Sequence, residues 1–200
     1  MATLLHLDSS ADLTGSASRR LTARFAAGWG ALGHDIVRRD LFVEQPPHLP
    51  NNVLHWAPRL RAPGATADPA HERYQEELVS ELLAADVVLV GAPMYNWSVP
   101  STLKAWIDWI HVPGMTAPAS PDDPAPLGGK PIVIASGRGL AYGPGSGNVD
   151  HELAALTQLF NGSMKMTVYP VLAESTLAAE GAESLAAAET EVDRLLTELG

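Results

Sequence analysis

The sequence of 200 residues contains no cysteine. Without a thiol, the chain cannot form disulfides, zinc–thiolate sites, a cysteine nucleophile or a CxxC redox pair. If it has a redox function, a bound cofactor must therefore carry the electrons.

Positive charge is also scarce in this sequence. It has 13 Lys and Arg residues against 23 Asp and Glu residues, a formal net charge of −10 at pH 7. A surface of this sign repels phosphate backbones and anionic lipid headgroups. We therefore expect no nucleic-acid partner and no membrane partner.

Long apolar runs are missing as well. No segment approaches the roughly 20 apolar residues of a membrane-spanning helix, and the first eight residues lack the basic start of a signal peptide. We therefore expect a cytoplasmic location. Length and a hydrophobic content of 46% predict one globular domain over residues 1–200.

Several sequence motifs of known enzyme classes are absent. The chain has no GxxxxGK[ST], HExxH or GxSxG segment, which disfavours phosphate-loop, metal-dependent and serine hydrolases, and no metal site is expected. Residues 28–33 match GxGxxG, but they end a predicted helix and lead into a strand, the reverse of the dinucleotide fingerprint. We interpret them as a helix terminus with a capping glycine.

Strand-like and helix-like segments alternate along the chain. Strands are predicted at residues 4–7, 36–42, 87–90, 132–135 and 166–172, and helices at 19–31, from 69, from 103 to 110, from 149 to 160 and up to 199. Irregular, proline-rich loops are predicted at 45–69 and 111–128. This pattern predicts a doubly wound α/β fold with a five-stranded parallel sheet of order 2-1-3-4-5.

Such sheets bind ligands beyond the carboxyl ends of their strands, near the switch point between strands one and three. Three loops there have unusual compositions, and the first follows strand one. It contains Ser10, Ser16, Ala17 and Ser18 at the start of a helix. Unpaired amides and the positive end of the helix dipole favour a phosphate group there, although the serines alone could serve only to cap the helix.

The loop after strand three joins an apolar strand directly to Met94, Tyr95, Asn96 and Trp97. Methionine and aromatic side chains can flank a flat ring such as isoalloxazine, and main-chain groups can bind its polar edge. The alternative is that Met94 and Trp97 belong to the core and that Asn96 is a turn residue.

The loop after strand four is rich in glycine and begins Ser136, Gly137, Arg138, Gly139. Glycines let the main chain approach a ligand closely, although they also occur in simple flexible connections. Tyr142 lies further along this loop and is a candidate substrate contact.

Together these segments resemble the FMN-dependent, NADH-linked azoreductase and quinone reductase family, which has a flavodoxin-like fold. The resemblance rests on the serine loop, on residues 92–97, and on Leu103 and Lys104 followed by Ile107 and Asp108. It implies that FMN phosphate is held by Ser10, Ser16, Ala17 and Ser18. The flavin ring is then bordered by Met94 to Trp97 and by the main chain of Ser136, Gly137, Arg138 and Gly139.

The resemblance also implies a homodimer with active sites at the subunit interface. NADH or NADPH and a quinone or azo acceptor are expected to react in turn, by a ping-pong mechanism with no catalytic protein nucleophile. Trp97, Trp106 and Trp109 are expected to contribute to a walled substrate site and a dimer interface. Two alternatives stay open, a flavodoxin-type electron carrier and a pathway-specific flavoprotein that has lost azo reduction.

Two positions depart from the family pattern. The family usually has Ser-Arg-Gly-Gly after strand four, where this chain has Ser-Gly-Arg-Gly at 136–139. It usually has Phe after a Gly-Met-Thr segment, where this chain has Ala117. We expect Ala117 to widen or reshape the substrate pocket.

Overall fold

The computed structural model describes residues 1–143 and 145–200, so that Pro144 of the glycine-rich loop lies outside the description. In the described chain five strands alternate with five α-helices. The strands are β1 (Thr3–Asp8), β2 (Asp35–Asp40), β3 (Val87–Gly91), β4 (Pro131–Gly137) and β5 (Thr167–Ala173). The helices are α1 (Ala17–Ala31), α2 (Pro69–Ala84), α3 (Ser101–Ile110), α4 (His151–Thr157) and α5 (Gly181–Leu199).

The strands form one parallel sheet in the order β2-β1-β3-β4-β5. This confirms the predicted doubly wound topology. Because β1 lies between β2 and β3, the chain leaves the sheet in opposite directions at the carboxyl ends of β1 and β3. A crevice opens there for geometric reasons, whatever the sequence of the loops.

Alternate residues of the central strands point to opposite faces of the sheet and form two cores. Leu5, Val88 and Ile132 pack with α2, α3 and α4 on one face. On the other face Leu4, Leu89 and Val133 pack with α1 and α5. With both faces covered, β3 needs the continuous apolar run that made it the clearest strand in the sequence.

Local capping residues explain where the element bounds differ from prediction. Helix α1 begins at Ala17, because the Ser16 hydroxyl accepts a hydrogen bond from the Arg19 amide. Strand β2 ends at Asp40, which accepts hydrogen bonds from the Phe42 and Val43 amides and turns the chain.

Helix α4 is also shorter than predicted. Asp150 caps it, so the α-helix starts at His151, and from Gln158 to Ser163 it continues as a π-helix. The prolines between residues 45 and 69 permit two short 3₁₀ turns, Asn52–His55 and Pro58–Leu60. The segment 28–33 does end α1, and Gly33, with φ of +84°, follows its C-cap.

None of the helices described is both long enough and apolar enough to cross a membrane.

Candidate functional site

The loops after β1, β3 and β4 meet at one edge of the sheet, as the parallel topology predicted. They enclose a cleft of about 360 Å³, here called the serine cleft. The β1–α1 loop lines it with Ser10, Asp12, Gly15, Ser16, Ala17 and Ser18, and the other two loops line it with Pro93, Met94, Tyr95, Gly137 and Gly139. The loop after β5 adds Thr176 and Leu177, which sequence reasoning missed.

One end of the serine cleft is suited to an anion. It is formed by the N-terminus of α1, where the Ser16 and Ser18 hydroxyl oxygens lie 3.0 Å apart. Across residues 1–143 and 145–200, no group accepts a hydrogen bond from the Ala17 or Ser18 amide. Two free amides, two hydroxyls and the positive end of the helix dipole thus lie together.

This anion end contains hydrogen-bond donors rather than a free positive charge. No Lys or Arg side chain lines the part of the cleft that the structure describes. Arg19, the first basic residue of α1, instead donates two hydrogen bonds to the Ser10 carbonyl oxygen, at 3.2 and 2.7 Å, and pairs with Asp40 at 2.6 Å. Arg19 therefore holds the serine loop in place from the side that faces away from the cleft.

Asp8, at the end of β1, lies beneath this loop. Its carboxylate accepts a hydrogen bond from the Thr22 hydroxyl at 2.7 Å and lies 3.1 Å from His6 Nε2. Burial tends to raise the pKa of Asp8, but the contacts with His6, Thr22 and Arg19 together hold that pKa below its usual value. A charged Asp8 anchors the end of the strand that carries the loop.

Asp12 places a carboxylate at the rim of the anion end. Its Oδ1 accepts hydrogen bonds from the Gly15 amide at 2.8 Å and the Thr14 amide at 3.0 Å. These bonds lower the pKa of Asp12 and turn its charge toward the loop's own amides. Asp12 therefore shapes the loop, a role that turn composition alone could have indicated.

The segment after β3 folds back as a tight hairpin. Tyr95 and Ser98 exchange two backbone hydrogen bonds, of 2.9 and 3.0 Å, around Asn96 and Trp97. These two residues have φ of +50° and +63°. Asn tolerates that conformation, but for Trp it is strained, and such strain concentrates at functional sites.

This hairpin is tied to the serine loop. The Tyr95 hydroxyl accepts a hydrogen bond from the Ala11 amide at 3.0 Å and lies 3.2 Å from Ser10 Oγ. Tyr95 therefore sets the spacing between the anion end and the hairpin, which holds Met94 and Trp97 at the other end.

A second cavity of about 220 Å³, here called the aromatic pocket, shares Met94 and Gly139 with the serine cleft. Its other lining residues are Asn96, Trp97, Leu140 and Tyr142. Trp97 is 58% exposed, which rules out the alternative that it belongs to the core. The two cavities therefore lie side by side, the first with hydrogen-bond donors at the N-terminus of α1 and the second lined by Trp97, Leu140 and Tyr142.

Gly137 and Gly139 lie so close to neighbouring residues that a side chain at either position would crowd them. A Cβ atom on Gly137 would lie 3.0 Å from the Ala17 Cβ and 3.3 Å from the Ser18 amide nitrogen. A Cβ on Gly139 would lie 2.9 Å from a Leu177 methyl. Glycine at position 137 therefore lets β4 come close to the anion end, and glycine at 139 lets the following loop come close to Leu177.

The side chains of Ser136 and Arg138 do not reach the cleft, so only their main chain could make the contacts predicted for residues 136–139. Ser136 and Arg138 are each 1% exposed and line neither cavity. Ser136 donates to Glu152 at 2.7 Å. Side chains alternate about an extended backbone, so Gly137 and Gly139 face the cleft while Ser136 and Arg138 face inward.

The predicted tryptophan-walled site is also wrong in part. Trp106 and Trp109 are 1% and 0% exposed and belong to the core under the sheet. Ala117 is buried in the same core and lines neither cavity, so it does not widen the pocket of the single chain. Helical spacing placed these tryptophans on the buried face of α3, a pattern more typical of core than of site.

In the described residues no three His, Asp or Glu side chains form a group that could hold a metal ion.

Comparison with known proteins agrees with this architecture. The family model described as "Flavodoxin-like fold" matches residues 2–196. An FMN-dependent NADH:quinone oxidoreductase of Kineococcus radiotolerans is 44% identical over 182 residues, which cover 89% of this chain and 85% of that protein. A protein of the same name from Methylobacterium radiotolerans is 41% identical over 201 residues, covering 96% and 98%.

The chain belongs to the FMN-dependent NADH:quinone oxidoreductase family. This confirms the resemblance drawn from the serine loop and residues 92–97.

Solved structures similar to this member of the FMN-dependent NADH:quinone oxidoreductase family support the fold. An azoreductase from Bacillus anthracis str. Sterne superposes with a TM-score of 0.82 at 21% identity, covering 99% of this chain and all of that one. An FMN-dependent NADH-azoreductase from Bacillus anthracis str. Ames Ancestor, solved in complex with FMN, gives a TM-score of 0.83 at 20% identity, with coverage of 98% and 99%. At this identity the likeness establishes the flavodoxin-like fold alone.

Proposed function

We propose that the protein is an FMN-dependent oxidoreductase that uses NADH or NADPH to reduce quinones and azo compounds. The observation that carries this proposal is the space that the serine cleft and the aromatic pocket form side by side, sharing Met94 and Gly139. Its donor-rich end suits a phosphate, and its apolar end suits a flat ring. Relatives named FMN-dependent NADH:quinone oxidoreductase support the choice of FMN and acceptor.

The residues of the serine cleft fit the phosphate of FMN. The free amides of Ala17 and Ser18 and the hydroxyls of Ser10, Ser16 and Ser18 would hold it. A monophosphate bound by amides and hydroxyls needs no lysine, which agrees with the lining described.

The ring of FMN would lie against Met94, Tyr95, Asn96 and Trp97, with the main chain from residue 136 to 139 along its other edge. Bound FMN would supply hydride and two-electron transfer, which no side chain of a cysteine-free protein supplies. The protein would hold the ring in place, keep the hairpin around Asn96 and Trp97 in its strained conformation, and exclude water from the face of the ring that lies against the protein.

We propose that the aromatic pocket receives the nicotinamide and the acceptor in turn, which makes the kinetics ping-pong. The pocket is small, and Trp97, Leu140 and Tyr142 present apolar surface to one planar group at a time. Tyr142 can also offer its hydroxyl to a carbonyl or azo nitrogen of the acceptor.

We further propose a homodimer in which a second copy covers this rim. Leu140, Val149 and Leu177 are 52%, 62% and 86% exposed, and all three lie in the loops beside the site. Exposed apolar residues grouped around a site are typical of an interface. Analytical ultracentrifugation should give about twice the mass of 21.2 kDa, and a monomer at micromolar concentration would refute this part.

Cofactor binding is tested first. Purified protein titrated with FMN should quench flavin fluorescence and show a visible flavin spectrum. Ser16→Ala combined with Ser18→Ala should weaken FMN binding, because two donors at the anion end are lost. Ser80→Ala, on the exposed face of α2, is the matched control and should bind FMN like the wild type.

Turnover is tested by anaerobic stopped flow of the FMN-loaded protein. NADH or NADPH should bleach the visible absorbance, and a quinone or an azo dye should restore it. Parallel double-reciprocal plots are expected for ping-pong kinetics. Bleaching without reoxidation by either acceptor would favour the electron carrier, and reoxidation by quinone but not by azo dye would favour the pathway-specific enzyme.

A further inference from the structure

Arg138 occupies an unexpected position in the glycine-rich loop. Its neighbours Gly137 and Gly139 both line the serine cleft, where a basic residue would be expected to meet a phosphorylated ligand. Its side chain is nevertheless 1% exposed and points away from the cleft. A buried guanidinium needs hydrogen-bond or ion-pair partners to offset the loss of water, and the partners of Arg138 indicate its role.

The guanidinium joins acidic residues from two other parts of the chain. Its Nη1 donates to Asp150, the N-cap of α4, at 2.5 Å and to Glu174, just after β5, at 3.3 Å. Its Nη2 lies 3.5 Å from the buried Glu152 carboxylate in the first turn of α4. One cation thus ties β4, α4 and the end of β5 together.

The main chain of Arg138 extends this link into the cleft. Its amide donates to the Ala173 carbonyl oxygen at 2.8 Å, and its carbonyl oxygen accepts from the Thr176 amide and hydroxyl, both at 2.9 Å. Thr176 and Leu177 are the two lining residues that the β5 loop contributes. The position of this wall therefore depends on residue 138.

We propose that Arg138 is a positioning residue for the FMN cleft. Its buried guanidinium holds the lining residues Gly137, Gly139 and Thr176 in place from the side that faces away from the cleft, without touching the cofactor. This inference rests on the proposed function. Removing the cation leaves Asp150 and Glu174 without their shared counter-charge, which forces the loops that carry them apart. In a variant without this charge we expect the shape of the cleft to change while the overall fold is kept.

The test compares Arg138→Met, Arg138→Lys and Glu174→Gln with the wild type. Arg138→Met should weaken FMN binding by about ten- to a hundredfold, which is the loss of affinity typical when a residue that orients a metal ligand is removed. Arg138→Lys keeps the charge but reaches fewer carboxylates, so it should recover part of the affinity. At saturating FMN, kcat should fall by a smaller factor than the FMN affinity does, because the side chain meets no reacting atom.

Two controls separate positioning from general stability and charge. Leu156→Ala removes core packing from α4 without touching the charged cluster. Arg24→Met breaks an arginine–aspartate pair between α1 and α5 whose two residues line neither cavity. Both should bind FMN like the wild type, and urea unfolding of the apoproteins should show that Leu156→Ala loses at least as much stability as Arg138→Lys.

The outcomes distinguish this proposal from the proposed function. Wild-type protein that takes up no FMN would overturn both. FMN affinity unchanged in Arg138→Met, or lost equally in Leu156→Ala, would overturn the positioning role alone. If Arg138→Met does not fold, Glu174→Gln decides, because it removes one carboxylate partner of the guanidinium and should weaken FMN binding several-fold. Unchanged affinity in that variant would overturn the proposal.

Discussion

Glu152 gives the sharpest quantitative test of the electrostatics beside the site. Its side chain is fully buried, its Oε2 accepts a hydrogen bond from Ser136, and Oε1 has no partner among the residues described. Burial raises the pKa of Glu152 to about 7, although the Ser136 hydrogen bond and the Arg138 charge act against it. The ordinary pKa of a glutamate carboxyl is 4.5.

This raised pKa fixes the sign of the pH dependence. Between pH 4.5 and 7 the unfolded chain releases the Glu152 proton while the folded chain retains it, so this residue lowers stability as the pH rises. Glutamine at this position has no proton to lose. The stability of Glu152→Gln relative to wild type should therefore grow by about 1 kcal/mol at pH 5, about 2 at pH 6 and about 3 at pH 7, measured from its value in acid.

Urea unfolding at half-unit steps from pH 4 to 8 measures this difference directly. Titrations of all other groups are shared by the two proteins and cancel. Glu76→Gln, on the exposed face of α2, controls for loss of one negative charge. A wild-type minus Glu152→Gln difference that stays flat across this range would refute the reasoning, and it would mean that Arg138 keeps Glu152 ionised.

Three other substitutions test the geometry. Gly137→Ala adds a Cβ 3.0 Å from the Ala17 Cβ; overpacking costs about 1–3 kcal/mol, so fluorescence titration should show FMN affinity reduced by about tenfold. Trp106→Ala should cost about 3–5 kcal/mol in urea unfolding, because the side chain is core and not site. Trp97→Ala should leave stability within about 0.5 kcal/mol but raise KM for a quinone, since Trp97 walls the aromatic pocket; unchanged KM would contradict that role.

Much of the fold could be predicted because the strongest signals are local. The run from Val87 to Val90 is apolar without interruption, as a strand covered on both faces must be. Strand β2 was harder to delimit, because it lies at the edge and is largely exposed, so burial does not dictate its sequence. Its end is set by the Asp40 side chain, a capping interaction that periodicity does not reveal.

The site could be predicted as a meeting of loops but not as a set of side chains. Parallel topology alone brings Ser16, Met94 and Gly139 to one edge, which is why the sequence was sufficient for their juxtaposition. Thr176 was missed because it enters the cleft through hydrogen bonds to the Arg138 carbonyl, a contact between segments 38 residues apart. No local pattern encodes such a contact.

The inward orientation of the Arg138 side chain shows how residues on two sides of the loop contribute differently to this cleft. At the end of β4 and the start of α1 the cleft is lined by the small residues Ala17, Ser18, Gly137 and Gly139, so main chain lies close to its surface there. Its precision must come from side chains that point the other way, such as Arg19 behind the serine loop and Arg138 behind the two glycines. In the proposed function, selectivity for the acceptor falls to the side chains of the aromatic pocket, of which Trp97 and Leu140 are 58% and 52% exposed.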